Sequence, residues 1–273
     1  MSAAILKVEG VAKTFVTASG TIEALAETSI EVRQGEFVAV IGPSGCGKST
    51  LFNIIGGLES ADTGRVLVDG TPIDGSHKDI GMVFQEESTF PWRTVVENVA
   101  FPLEVAGMGR REREAKAMRF VRLVGLDGFE RRYPAELSGG MRQRTALART
   151  LCAEPRILLM DEPFAALDEQ TRMLLGEKLI DICQSLKQTT LFITHNLSEA
   201  VQLSDRVLVM SFRPGRIKRT VAIDLPRPRT SDVIASQNFA AYLGTIWEEL
   251  KTEAAKGLEV LETERRTAAR ARA

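Results

Sequence analysis

A chain of 273 residues, 44% hydrophobic and 26% charged, has the make-up of a soluble globular protein and excludes a disordered, collagen-like or disulfide-stapled one. Thirty-five Lys and Arg stand against 36 Asp and Glu, so the formal charge of −1 gives no global field that would draw the chain to nucleic acid. The length allows one α/β domain with insertions, or a domain with a small appendage. No apolar run approaches the roughly 18 residues that span a bilayer. The segment Met1–Lys7 lacks the charged-then-apolar layout of a signal peptide, and Cys46, Cys152 and Cys183 form no CxxC pair. The expectation is a reduced, cytosolic, soluble chain.

Short β-branched runs at Leu6–Val8, Phe37–Ile41, Val66–Val68, Gly81–Phe84, Ile157–Met160, Leu191–Thr194 and Val207–Met210 predict strands. Several are apolar on both faces, as in a sheet covered by helices on each side. Helical periodicity lies between them, at Thr50–Ile55, Arg142–Cys152 and Thr171–Leu186. The alternation predicts an α/β fold with a largely parallel sheet. Val95–Arg149 breaks the rhythm, being helical in pattern without a buried strand. Within it, Arg110–Arg132 carries eight basic and four acidic residues, which reads as a solvated helix face. The run Leu225-Pro226-Arg227-Pro228-Arg229 marks a boundary; beyond it Ser236–Lys256 reads as one helix and Glu262–Ala273 as its fraying end. No repeat of solenoid length is present.

The chemistry starts at Gly42-Pro43-Ser44-Gly45-Cys46-Gly47-Lys48-Ser49, which follows the strand Phe37–Ile41 and opens an apolar helix. This is GxxxxGK[ST] in the strand–loop–helix setting that the motif requires. Glycines let the backbone wrap with its N–H groups inward, making an anion nest at the positive end of a helix dipole. Lys48 reaches toward β- and γ-phosphates, the Ser49 hydroxyl ligates Mg²⁺, and the amides of Gly45, Gly47 and Thr50 complete the cradle. Cys46 reads as an outward-facing filler whose thiol, at a helix N-terminus, has some reactivity. A second element is the strand Ile157–Met160 ending in Asp161 and Glu162. Asp161 is placed to ligate Mg²⁺ directly or through water, and Glu162 to orient and deprotonate an attacking water. Ser138, Gly139 and Gly140 precede a helix and offer a second anion site of hydroxyl and backbone donors. One nucleotide does not need two such sites, unless the second serves a partner subunit. Of the two histidines, His77 sits in a Gly/Ser/Asp loop and reads as surface, whereas His195 follows a predicted strand.

These elements, with Gln85 after the strand Gly81–Phe84 and the loop Ala165-Ala166-Leu167-Asp168, occur in the order found in the ATPase subunits of ABC transporters, which residues 5–225 resemble. The resemblance implies a P-loop NTPase (RecA-like) core with an antiparallel β region and a helical signature subdomain at about 90–150, followed by a helical tail, 226–273. It also implies a head-to-tail dimer with two ATP molecules at its interface. Lys48, Ser49, Gln85, Asp161, Glu162 and His195 of one subunit then act opposite Ser138 and Gly140 of the other. Gln85 contacts Mg²⁺ and the water, Asp168 links the two sites, and His195 holds the γ-phosphate. Phe15 matches the family's adenine-stacking aromatic, usually Tyr; a core Phe is the other reading. Met141, Ala165 and Asn196 depart from the commoner Gln, Ser or Gly, and Asp, and bear on rate and coupling.

Three further stretches, Phe90–Val99, Met210–Ile217 and Leu225–Arg229, resemble bacterial importers for nitrate, sulfonate, taurine and related small anions or heterocycles. That resemblance implies a transmembrane permease partner, a solute-binding protein acting indirectly, no nucleic acid, and a peripheral place on the cytoplasmic face of the inner membrane. The Phe90–Val99 segment then lines the groove for a permease coupling helix, against the plainer reading of Trp92 packed under a loop. An exporter or lipid-type ABC system, or an ABC ATPase without a permease, is the alternative; the latter usually has two cassettes or a coiled-coil insertion, absent here.

Overall fold

The computed structural model describes residues 4–17, 20–86 and 88–272, with 258 and 261–272 described by backbone alone. In chain order the elements begin with β1 (Ala4–Thr17), β2 (Gly20–Arg33), β3 (Phe37–Ile41), α1 (Lys48–Ile55), β4 (Thr63–Val68) and β5 (Thr71–Pro72). The middle comprises β6 (Ile80–Val83), α2 (Val95–Val105), α3 (Arg110–Leu123), α4 (Gly139–Cys152), β7 (Ile157–Asp161), α5 (Glu169–Ser185) and β8 (Thr189–Ile193). The last are α6 (Leu197–Leu203), β9 (Arg206–Met210), β10 (Ile217–Ala222), α7 (Ser231–Ile234) and α8 (Gln237–Arg272). The chain divides into two compact units, one built from 1–76 and 193–273 and the other from 77–192.

The first unit contains an antiparallel sheet in the order β2-β1-β4-β5. Leu6 pairs with Val32 and Val8 with Ile30, and one face of each strand is buried while the other carries Glu and Lys. This alternation is how a sheet with one wet face is specified. The same unit holds β10-β9-β3, in which β9 runs parallel to β3 and antiparallel to β10. All five residues of β3 are buried, as the uninterrupted apolar run predicts. Leu51, Phe52 and Ile55 of α1 add fully buried side chains. From the C-terminal region, Phe239 and Ile246 of α8 are buried, and α8 packs on α6.

The segment after Leu225 is tied down by a charge. Arg229 is buried and its guanidinium donates to the carbonyls of Val201, Gln202 and Ser204, at the end of α6 where helix carbonyls lose their intrahelical partners, and to that of Ile223 after β10. Burial pushes its pKa down to about 10, with Arg227 contributing, so it stays protonated at neutral pH. The terminal helix starts one residue later than expected and runs to Arg272, past the expected end at Lys256, and Ala273 lies outside the described residues.

In the second unit β7 lies between β6 and β8, with β6 and β7 parallel from Ile80–Ile157 to Val83–Met160. Helices α2, α3 and α4 pack on one another. A capping box opens α2, with the Thr94 hydroxyl accepting from the Glu97 amide and Glu97 accepting from the Thr94 amide. No helix among the described residues is long and apolar enough to cross a membrane.

Candidate functional site

In the first unit β3 delivers the chain into the loop Gly42–Gly47, and α1 begins at Lys48. Gly45 and Gly47 have φ of +73° and +98°, in the left-handed region that costs glycine nothing. At Gly47 a Cβ would also lie 2.6 Å from the Ala24 carbonyl oxygen, so no other residue fits. The first turn of α1 has no side-chain cap. Leu51 N–H donates to Gly47 O at 2.9 Å, and the amides before it, at the open start of the helix, are donors for an anion. Lys48 Nζ donates to the carbonyls of Gly42 and Pro43, each at 2.9 Å. Beside it opens a cavity of about 390 Å³ lined by Phe15, Ile22, Gly47, Lys48, Ser49 and Arg213.

Phe15 is half-buried on that cavity wall, with the Lys13 ammonium 5.3 Å from its ring centroid, and the core reading does not hold. Thr50 also lines the cavity, and Ser44 is exposed on the loop. His195 is exposed; Thr194 before it donates its amide to Val40 O at 3.3 Å, so His195 leaves the core beside the strand that enters the loop. Asn196 caps α6 by accepting from the amides of Ser198 and Glu199, a task that Asp performs equally. His77 is half-buried and accepts the Asp79 amide at Nδ1.

Cys46 corrects an expectation. It is fully buried, not outward-facing: its Sγ sits 3.8 Å from Lys48 Nζ and 2.8 Å from where a Cβ on Gly42 would be. Burial pushes the thiol pKa up, outweighing the pull of Lys48, so the thiol is not activated. Its amide donates to Pro43 O at 3.3 Å, closing the turn.

The second unit gathers the other candidates. Asp161 is buried at the end of β7. Glu162 has φ +49°, a left-handed geometry that a non-glycine residue adopts at a cost, and one that turns the chain sharply off the strand. Gln85, exposed after β6, donates from Nε2 to Glu162 Oε2 at 3.4 Å. Ser138 is the N-cap of α4 and its hydroxyl accepts from the Met141 amide at 3.3 Å, with Gly139 the first helical residue. At Gly140 a Cβ would lie 2.8 Å from Leu167 and 3.1 Å from the Ala166 carbonyl, so this glycine lets the 165–168 loop pack on the helix start. Asp168 caps α5 by accepting from the amide and hydroxyl of Thr171, and these bonds hold its carboxyl below the usual range.

Among the described residues no cluster of three or more His, Cys, Asp or Glu forms a self-sufficient metal site. The Ser49 hydroxyl of the first unit and the Asp161 carboxylate of the second are each the kind of hard oxygen donor that Mg²⁺ takes.

A model of the ABC transporter family matches residues 25–165, just over half of the chain. The chain belongs to the ABC transporter family. An ABC transporter ATP-binding protein of Methanocaldococcus jannaschii is 50% identical over 254 residues, covering 93% of this chain and 94% of the relative. The nitrate import ATP-binding protein of Synechocystis is 43% identical, covering 95% and 98%, and the aliphatic sulfonates import ATP-binding protein of Bacillus cereus is 44% identical, covering 82% and 88%. Among solved structures, a dimeric ATP-binding cassette in a post-hydrolysis state with ADP and Pi superposes with a TM-score of 0.74 at 32% identity, covering 80% of this chain and 98% of that chain. The family hydrolyses ATP, and this cassette is an ATPase.

Two residues of the cassette escaped the sequence reading. Gln143, buried in α4, bonds to both Glu162 and Ala166. Arg213 donates to the phosphate loop at Gly45. The only signals for them were a polar residue on the apolar face of an amphipathic helix and an Arg-Pro-Gly turn.

Proposed function

We propose that the chain is the ATP-hydrolysing subunit of an ABC importer for a small anion or related solute of the nitrate or sulfonate class. The observation that carries this reading is the likeness to nitrate and sulfonate import ATP-binding proteins at 43–44% identity over most of both chains. The phosphate loop supports it chemically, because left-handed glycines, uncapped amides and Lys48 converge on one cavity wall. In this reading residues 1–225 are the cassette and 226–273 its helical tail.

The roles follow from the chemistry of each group. Phe15 offers a ring face to adenine; Gly42, Ser44, Gly45, Cys46 (by its backbone), Gly47, Lys48, Ser49 and Thr50 hold the phosphates. Ser49, Gln85 and Asp161 would hold Mg²⁺, which would supply charge neutralisation at the phosphates. Glu162 takes the proton of the attacking water, and His195 donates to the γ-phosphate. Ser138, Gly139 and Gly140 serve the nucleotide of a second copy in a head-to-tail dimer, and Asp168 links the two sites. The membrane path belongs to a permease, met on the cytoplasmic face of the inner membrane by the Phe90–Trp92 surface, of which Pro91 and Trp92 are exposed. Delivery by a solute-binding protein supplies the substrate.

The test is to purify the chain from membranes with its bound partners, reconstitute them, and screen nitrate, sulfonates and related anions for ATPase stimulation with the cognate binding protein. Stimulation by one such anion supports import. Purification without any membrane protein, with full ATPase activity, would sink the importer reading.

A further inference from the structure

The turn between β9 and β10 touches the phosphate loop directly. Arg213 Nε donates to the Gly45 carbonyl oxygen at 2.8 Å. Gly215 lies so near that a Cβ there would fall 1.9 Å from the Cys46 carbonyl oxygen, which excludes every other residue. Gly215 is itself fixed to β2, donating to Ala24 O and accepting from the Ala26 amide, each at 3.0 Å. In a trans peptide the C=O and N–H point to opposite sides. Holding the Cys46 carbonyl against Gly215 therefore turns the Gly47 amide away from this turn.

The other side of the turn is gripped by the terminal helix. The Phe212 amide donates to Glu253 Oε2 at 2.9 Å, and Glu253 is buried in α8 with Lys256 at 3.0 Å and Lys218 at 3.3 Å. One turn further on, Gly257 lies against the Phe212 ring, where a Cβ would come within 3.1 Å. A carboxylate buried this far remains charged only because these partners replace water.

We propose that residues 212–215 are a strut that positions the phosphate loop, with Arg213 as a positioning residue and α8 setting the strut through Glu253. The C-terminal helix is then a determinant of nucleotide affinity, although it carries no group of the reaction. The inference rests on the phosphate loop being the nucleotide site.

The experiment titrates the full-length protein with MgADP by calorimetry and follows amide hydrogen exchange of the Gly42–Gly47 segment without nucleotide. Arg213→Ala loses one charge-assisted hydrogen bond and is expected to weaken MgADP by roughly five- to tenfold. Arg213→Lys, whose ammonium still reaches a carbonyl as a single donor, recovers part of that loss. Glu253→Ala, on the far side of the strut, weakens MgADP about threefold and speeds exchange in the loop, whereas Glu253→Gln keeps an acceptor for the Phe212 amide and binds as the parent does. Acting through one strut, the double Ala variant binds within about twofold of Arg213→Ala alone. The KM for MgATP rises with these losses while kcat moves less than about twofold, as for a loss of uniform binding. Parental affinity and unchanged loop exchange in Glu253→Ala overturn the proposal. If the parent itself binds no MgADP, the nucleotide reading falls and this inference with it.

Discussion

Gln143 donates its side-chain amide to the carbonyl oxygen of Glu162 at 3.0 Å and accepts the Ala166 amide at its own oxygen, also at 3.0 Å. One buried side chain of α4 thus fixes both the residue after β7 and the loop that leads to Asp168. Without it, Glu162 keeps its left-handed backbone but loses the brace that holds it there. Replacing Gln143 by Leu keeps the bulk and removes both bonds. Hydrolysis is expected to fall by about ten- to a hundredfold, the scale on which a misplaced reacting group costs rate. Unfolding stability falls by about 1–3 kcal/mol, the cost of orphaned polar partners. A steady-state ATPase assay beside a urea titration reads both, and undiminished turnover would refute the bracing role.

The strands β3, β7 and β8 were legible because each is buried on both faces, which leaves the apolar runs Phe37–Ile41, Ile157–Met160 and Leu191–Ile193. The phosphate loop was legible because its glycines are dictated by backbone geometry, as the +98° φ and 2.6 Å approach at Gly47 make plain. The long strands β1 and β2 were mostly missed: β1 was seen only at Leu6–Val8, and β2 reads Ala-Leu-Ala-Glu through its middle, a helix-forming composition that cross-strand pairing overrides. Cys46 was misjudged because a side chain's facing inside a tight loop depends on what lies beneath, here Lys48 and Gly42. Gln143 and Arg213 bond to carbonyls 19 and 168 positions away, and Arg229 to carbonyls 6 to 28 positions back, so the local sequence does not announce their partners.

Glu162→Gln is nearly isosteric and removes only the basic oxygen. If Glu162 takes the proton of the attacking water, hydrolysis drops at least about a hundredfold, the lower bound of the range for general-base loss. Binding of MgATP persists, and an ATP-bound dimer accumulates that size-exclusion chromatography resolves from the nucleotide-free chain. Turnover near the parental rate rules out the water-activating role.

Trp92 is 71% exposed beside Phe90, with ring centroids 5.6 Å apart. The loop is built from within: Asn98, fully buried, accepts the Phe90 amide and donates to the carbonyls of Phe90, Arg93 and Thr94. A large exposed aromatic on a braced loop is the profile of a contact residue. Trp92→Ala therefore changes stability by less than about 0.5 kcal/mol, as surface changes do, and leaves basal ATPase intact while reducing permease co-purification. Loss of basal activity with association retained contradicts the docking role.

One buried guanidinium, that of Arg229, closes the end of α6 with three carbonyl contacts and ties it to the Ile223 carbonyl after β10 with a fourth. Arg229→Met fills the space with an apolar chain and leaves those carbonyls unpaired. The expected loss is about 3 kcal/mol, the upper end for hydrogen bonds to a charged group. The urea midpoint reports it. A shift under about 0.5 kcal/mol, the scale of surface substitutions, shows that water reaches the carbonyls unaided.

The three thiols give the last expectation, since all are buried and burial raises each pKa: Cys46 upward, Cys152 to about 12 and Cys183 to about 11. A raised pKa means less thiolate at any given pH, so N-ethylmaleimide at pH 8 should label none of them within minutes in the folded protein and all three in guanidinium. The same shift fixes a pH dependence. Below the unfolded thiol pKa of about 8.5 the buried thiols cost nothing extra; above it the unfolded chain ionises while the folded one does not, and stability declines until the folded pKa values are passed. Mass spectrometry of the labelled peptides separates the sites. Rapid stoichiometric labelling of Cys46 in the native protein would show that its thiol is open to solvent and that the phosphate loop is not packed over it.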